Sequence, residues 1–277
     1  MQAIKGRCFD EERALYGESS LLVRDCRFEG AADGESALKE CRDIITENCY
    51  FDLRYPFWHD KRGNIIGCEL TESCRAALWY SEGFEIRDSR LHGIKALREC
   101  KNVCITDCDI RSPEFGWSTK RLHMENTRVE GEYFLLRGEK LFFKNVTLTG
   151  KYSFQYVKDV LIDKCDFNTK DAFWHAENVT VTDSVLKGEY LGWYSKNLTL
   201  VRCKIVGTQP LCYSRGLRLV DCEMESTDLA FEKSSVKASV KTHIDSIKNP
   251  LRGKIEAPSV GEIIFDAPWA KGKVIAK

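Results

Sequence analysis

The feature that most constrains this chain is a repeat of constant length. Segments beginning at Phe84, Val103, Leu122, Leu141, Val160, Val179, Leu198, Leu217 and Val236 follow one another every 19 residues, and more ragged copies begin near Leu21, Ile44 and Asn64. A fixed period of this size points to one supersecondary unit stacked on the next, because a single copy cannot bury its own apolar face. The third residue of the copies is Ile86, Ile105, Met124, Phe143, Ile162, Val181, Leu200 and Leu219; the eighth is Leu91, Ile110, Val129, Leu148, Phe167, Leu186, Ile205 and Met224. Apolar positions 1 and 3, then 6 and 8, alternate with polar ones, which is the period of a half-buried strand rather than a helix.

The corners are legible too. Position 5 holds Asp88, Asp107, Asn126, Asn145, Asp183 and Asp221, side chains that tolerate a left-handed backbone. Gly93, Gly131, Gly150, Gly188 and Gly207 mark a second corner at position 10, and a third short strand is expected over positions 13 to 16. Three strands and three corners in 19 residues leave no room for a crossover helix. The fold class expected is therefore all-β, a single-stranded parallel β-helix. Left-handed versions rest on six-residue repeats, of which 19 is not a multiple, so right-handed coiling is expected. About twelve coils at roughly 4.8 Å each would make a rod on the order of 55 Å. The coils are assigned to residues 1–242. The tail 243–277 drops the repeat, carries three of the six prolines, and is expected to cap the last coil as part of the same domain.

Composition narrows the partners. Among 277 residues, 42 Lys and Arg balance 42 Asp and Glu, so no basic field draws phosphate and nucleic acid is not an expected partner. No apolar run approaches the roughly 18 residues of a membrane span, and the first residues lack a signal-peptide core, so a cytoplasmic location is expected and no membrane partner. The thirteen cysteines are then expected as reduced thiols. Cys100, Cys104 and Cys108 are spaced unlike zinc or iron–sulfur motifs, and no metal or cofactor is expected. Cys26, Cys49, Cys108, Cys165, Cys203 and Cys222 share position 6 with Ser89 and Ser184, as small side chains inside a narrow coil. The sequons at Asn145, Asn178 and Asn197 fall at bends and are read as structural.

Three outward faces can be compared. Positions 4 and 7 are ordinary solvated mixtures, whereas position 15 reads Lys39, Trp58, Trp79, Arg98, Trp117, Leu136, Gln155, Trp174, Trp193, Cys212, Phe231 and holds five of the six tryptophans. Position 14 has no charge anywhere, so it is expected to point inward and position 15 outward. Position 16 adds Glu40, His59, Tyr80, Glu99, Ser118, Arg137, Tyr156, His175, Tyr194, Tyr213 and Glu232. Aromatic platforms beside hydrogen-bonding groups suit sugar rings, and the coil rise of about 4.8 Å is comparable to the advance per sugar of an extended polysaccharide. The expected ligand is an oligosaccharide held by Trp58, Trp79, Trp117, Trp174, Trp193, Tyr194 and Tyr213. Were it also processed, as by a polysaccharide hydrolase or lyase, the candidate catalytic cluster is His175, Arg137, Asp171 and Tyr156. The alternative is a structural protein without catalysis, in which the stripe is an isologous homodimer interface.

The strand rhythm AFWHAEN from Ala172, LGWYSKN from Leu191 and PLCYSRG from Pro210, with SIKNP from Ser246, resembles a bacterial family of pectin-lyase-like β-helix proteins known only as domain of unknown function 3737. The resemblance spans nearly the whole chain. It implies a right-handed single-stranded β-helix and brings no assigned activity or catalytic residues. The NTD, DD, GHG and RIK motifs of polygalacturonase-like hydrolases are not present in order, and the stripe lacks the clustered carboxylates with which pectate-lyase-like enzymes hold Ca²⁺.

Overall fold

The computed structural model describes residues 1–30 and 35–276. It is all-β, with no helix among the described residues, and forms a parallel β-solenoid of about 14 turns of roughly 19 residues. The turns beyond the expected twelve come from residues before Leu21 and from the tail. The chain divides into two compact units, Met1–Phe142 and Phe143–Lys277.

In unit 1 the long strand of each coil is Ser19–Arg24, Arg42–Glu47, Lys61–Ile66, Glu82–Arg87, Lys101–Thr106 and Lys120–Glu125, each parallel to the next. Phe84 stands opposite Val103 and Val103 opposite Leu122, the 19-residue offset of the sequence repeat. Unit 2 repeats this with Lys158–Asp163, Glu177–Thr182, Lys196–Val201 and Leu217–Glu225. Positions 1, 3 and 8 are buried in both units; Ile105, Phe143 and Phe173 are at most 1% exposed.

The corners follow from hydrogen bonding as much as from apolar burial. At position 5, Asp88, Asp107, Asn126 and Asp183 adopt left-handed φ near 50°. At position 6 the small side chain closes the bend: Ser89 Oγ donates to Arg87 O at 2.6 Å and accepts from Cys68 N at 3.0 Å. Ser184 does the same with Thr182 O and Cys165 N. A thiol can substitute for the hydroxyl, as Cys203 Sγ does toward Val201 O at 3.4 Å. Glycine at position 10 is a packing requirement, since a Cβ on Gly93 would lie 2.3 Å from Cys74 O in the preceding coil.

Three expectations are corrected. Among the described residues the third side is a paired strand at Phe57–Trp58, Leu78–Trp79 and Leu97–Arg98, and again in the tail at Ile244–Lys248, which bridges Ala230. Elsewhere it is a series of turns, because positions 12 and 16, and position 14 at Leu135, Phe154, Phe173 and Leu211, take left-handed φ that breaks an extended run. Position 15 does not point outward throughout, because Cys212 and Phe231 are fully buried. For Phe231 the reason is one extra residue in its coil: Tyr194 N donates to Cys212 O, but the equivalent bond from Tyr213 reaches Glu232 O, one residue later than the period requires. Phe231 thereby joins the inward Phe154 and Phe173, and Glu232 takes the outer place. The segment expected as a cap is itself coiled. Ser235–Val240, Arg252–Ala257 and Lys273–Ala276 pair in parallel, as do Ile244–Lys248 and Val260–Ile264. Ile263, Phe265 and Ile275 are left exposed on this segment, and Lys277 lies outside the described residues.

Candidate functional site

The tryptophan ladder is fixed by the backbone it covers. Each indole is half-buried, and its Nε1–H donates to the carbonyl sixteen residues onward: Trp79 to Lys95 O at 2.8 Å, Trp117 to Tyr133 O at 2.9 Å, Trp174 to Tyr190 O and Trp193 to Gln209 O at 2.7 Å. Trp58 reaches Ala76 O, eighteen residues onward in its longer coil, at 2.5 Å, and Gln155 Nε2 fills the role at Asp171 O at 3.2 Å. Those carbonyls belong to the left-handed position 12, where no strand partner can take them. The indole therefore satisfies a corner that the ladder of strands leaves open.

In unit 1 the rings of this ladder are also mutually covered. Trp58 and Trp79 stack at 5.2 Å and 3°, Lys39 lies 5.9 Å over Trp58, and Arg98 sits 5.0 Å over Trp79 and 5.6 Å over Trp117. At position 16, His59 and Tyr80 stack at 4.9 Å, after which Glu99, Ser118 and Arg137 carry no ring. A shallow groove of about 310 Å³ runs here, lined by Tyr80, Ser81, Glu82, Glu99, Lys101, Ser118 and Lys120.

Unit 2 differs at position 16. Tyr156, His175, Tyr194 and Tyr213 form one column, with centroids 4.8, 5.0 and 5.0 Å apart and planes within 14° of parallel. Their spacing is set by the main chain: Tyr156 N donates to Trp174 O at 2.8 Å, His175 N to Trp193 O at 3.0 Å and Tyr194 N to Cys212 O at 3.2 Å. Tyr156 and Tyr194 are 47% and 43% exposed. Rings so spaced cover one another's faces and turn their edges to solvent. What the column offers is a row of phenol hydroxyls and imidazole nitrogens, with no protein partner for those of Tyr156, His175 and Tyr194 among the described residues. Tyr213 is more enclosed, and its hydroxyl donates to Glu232 Oε2 at 3.0 Å. Burial, then that hydrogen bond and the Glu232 charge, push its pKa up to about 12. Lys248 Nζ balances Glu232 at 3.4 Å.

Among the sequence-predicted catalytic residues, two are in direct contact. Tyr156 and His175 stack in unit 2, and Arg137 belongs to unit 1. Asp171 sits at the position-12 corner with its side chain largely buried, where desolvation raises its pKa against the lowering effect of Lys170. His175 makes no ion pair among the described residues. The predicted binding residues separate into half-buried Trp58, Trp79, Trp117, Trp174 and Trp193, bonded to backbone, and exposed Tyr194 beside Tyr213. Missed by the sequence reading was position 18, which in unit 2 is Lys158, Glu177, Lys196 and Arg215; extending the same column comparison to it would have found them. No group of three His, Cys, Asp or Glu side chains among the described residues is arranged to hold a metal ion.

Comparison with known proteins places the chain in sequence and in fold. The model of a family described as "Protein of unknown function (DUF3737)" matches residues 2–275. No curated protein matches the chain. Among solved structures, the surface protein and adhesin PfbA of Streptococcus pneumoniae is similar at a TM-score of 0.50 and 8% identity, covering 94% of this chain and 91% of that one. A tailspike protein of E. coli bacteriophage HK620, solved in complex with a hexasaccharide, aligns at a TM-score of 0.45 and 9% identity over 94% of this chain and 66% of that one. The likeness to PfbA, at such identity, establishes the β-helix fold and nothing finer.

Proposed function

We propose that this chain, which belongs to the DUF3737 family, is a carbohydrate-binding solenoid whose contact line is the exposed ring column of unit 2. The observation that carries the reading is the spacing of Tyr156, His175, Tyr194 and Tyr213, 4.8 to 5.0 Å from ring to ring. An extended polysaccharide presents hydroxyls at a comparable advance per sugar, so one chain lying along the column would meet a fresh donor or acceptor at each coil. The main-chain bonds that hold the column lower the ordering cost of binding. Because ring faces are spent on one another, the contacts are hydrogen bonds from ring edges rather than stacking of sugar on indole.

That distinction sets the test. Tyr156→Phe with Tyr194→Phe keeps the rings and removes two hydroxyls. Titration calorimetry against a panel of neutral and acidic oligosaccharides should find a binder for the wild type and a loss of roughly 5- to 30-fold in the double variant, at about 0.5–1 kcal/mol per hydroxyl. Equal binding by the variant, or no binder for the wild type, overturns the reading. Covering of Tyr194 by a second copy in solution would also overturn it, in favour of self-association through the stripe.

A further inference from the structure

In unit 2 every coil that carries a ring at position 16 carries a charged side chain two residues later. The residue between them is buried: Val157, Ala176, Ser195 and Ser214 are each at most 1% exposed. Positions 16 and 18 therefore both turn outward, as two parallel columns, one of ring edges and one of charges. The second column reads Lys158, Glu177, Lys196, Arg215, with consecutive members paired in register.

Several charges on adjacent coils of this protein pair with opposite sign. Arg62 meets Asp43 at 2.6 Å, Arg202 meets Asp183 at 2.6 Å, and Lys204 meets Glu225 at 2.6 Å. The position-18 column begins the same way, with Lys158 and Glu177 at 3.9 Å. Lys196 and Arg215 do not pair in this way, as Arg42 with Lys61 and Lys101 with Lys120 do not in the same column of unit 1. What sets Lys196 and Arg215 apart is that they stand beside the ring edges of Tyr194 and Tyr213. They are exposed cations in register on adjacent coils, and neither forms an ion pair among the described residues. Like charges directly opposite each other on neighbouring strands destabilise the pair, and an anion lying across both relieves that repulsion. The guanidinium of Arg215 offers a fork suited to a carboxylate or sulfate.

We propose that the polysaccharide bound along unit 2 is acidic, with its carboxylate or sulfate groups on Lys196 and Arg215 and its hydroxyls on the edges of Tyr156, His175 and Tyr194. This inference rests on the carbohydrate reading of the ring column and adds the charge of the ligand. Two columns are read at once: the rings sense the advance of the chain and the cations sense its charge.

The test is calorimetric titration of the full chain with four probes: a uronic-acid oligosaccharide, its carboxyl-reduced counterpart, a sulfated oligosaccharide, and its desulfated counterpart. The wild type should bind one acidic probe at least tenfold tighter than its neutral counterpart, and that preference should shrink as salt rises from about 0.05 to 0.5 M. Lys196→Gln with Arg215→Gln should weaken the acidic probe on the order of tenfold and leave the neutral one unchanged. Which acidic probe responds identifies carboxylate or sulfate. Equal binding of charged and neutral probes, still sensitive to Tyr156→Phe with Tyr194→Phe, overturns the acidic inference and leaves the carbohydrate reading standing. Failure of all four probes, with the double Lys/Arg variant folded by circular dichroism, overturns both.

Discussion

Units 1 and 2 are built on the same coil and use its third corner differently. In unit 1 the outer side chains run cation, ring, ring, cation, ring, Lys39, Trp58, Trp79, Arg98, Trp117, so that the rings are covered by one another or by a cation. At position 16 of that unit the rings stop after His59 and Tyr80. In unit 2 the Trp174–Trp193 pair keeps the same scaffold role, stacked at 5.4 Å, while position 16 becomes an uninterrupted column of rings with open polar edges. The tryptophan ladder is bonded to backbone in both units, and the column beside it is where the units diverge in what they offer to solvent.

The largest expected effect breaks the symmetry of the two cores. Position 17 of unit 2 runs Val157, Ala176, Ser195, Ser214 and, after the one-residue slip, Ser234; Ser195 Oγ donates to Ser214 Oγ, and Ser214 N to Ser234 Oγ. In unit 1 the equivalent column contains Asp60, fully buried, with Oδ1 accepting from Cys41 N at 2.8 Å and Oδ2 without a partner. Desolvation raises its pKa to about 8, against which the backbone donors at Cys41 and Glu40 act only partly. A carboxyl raised on folding adds stability that is complete below its unfolded pKa near 3.9 and is lost as pH climbs through about 8. Urea midpoints should therefore fall more between pH 5 and 9 for the wild type than for Asp60→Asn, by at most about 5 kcal/mol in stability. Parallel curves would mean that Asp60 is ionised and paired in the fold.

Next in size is the aromatic packing of unit 2, where Phe154 and Phe173 stack at 5.1 Å and 6° while both hold left-handed φ. Phe173→Ala should cost about 4 kcal/mol by cavity formation. Trp174→Ala should cost about 2 kcal/mol, since it removes the stack on Trp193 and leaves Tyr190 O without its donor. A Trp174→Ala melting temperature indistinguishable from the wild type would return the indole to the role of a purely outward ligand platform and would reduce the contrast between positions 15 and 16.

The sequence made the coil legible because its apolar rows recur at a strict interval, and the inward direction of position 14 followed from its lack of charge. Three kinds of information were not in the pattern. An insertion of one residue before Ser234 moved Phe231 inward, and a fixed frame cannot register such a slip. The left-handed backbone at Tyr133 and Tyr190 carries no glycine or asparagine signature, so the turn there and the carbonyl it frees for an indole were invisible. The mutual covering of ring faces at position 16 also needed coordinates, since a column of aromatic letters reads alike whether faces or edges meet solvent.

The smallest effect sharpens the comparison without altering stability. All thirteen cysteines are free, yet only Cys8 is exposed and only Cys104 is half-exposed, on the outward face of its strand; both belong to unit 1. Cys165, Cys203, Cys212 and Cys222 of unit 2 are buried in the coil interior. Partial burial, together with the charges of Glu85 and Glu125 and in spite of Arg87, pushes the Cys104 thiol up, so its thiolate is scarcer at neutral pH than exposure alone implies. A disulfide reagent added to the native protein should thus label Cys8 quickly and Cys104 more slowly, with a rate that climbs with pH, and reach the other eleven thiols only on unfolding. Peptide mapping assigns the labelled sites. Rapid labelling at Cys203 or Cys222 under native conditions would mean that the coils beneath Tyr194 and Tyr213 open locally, and a column that opens on that timescale could not hold the ring spacing on which the binding line depends.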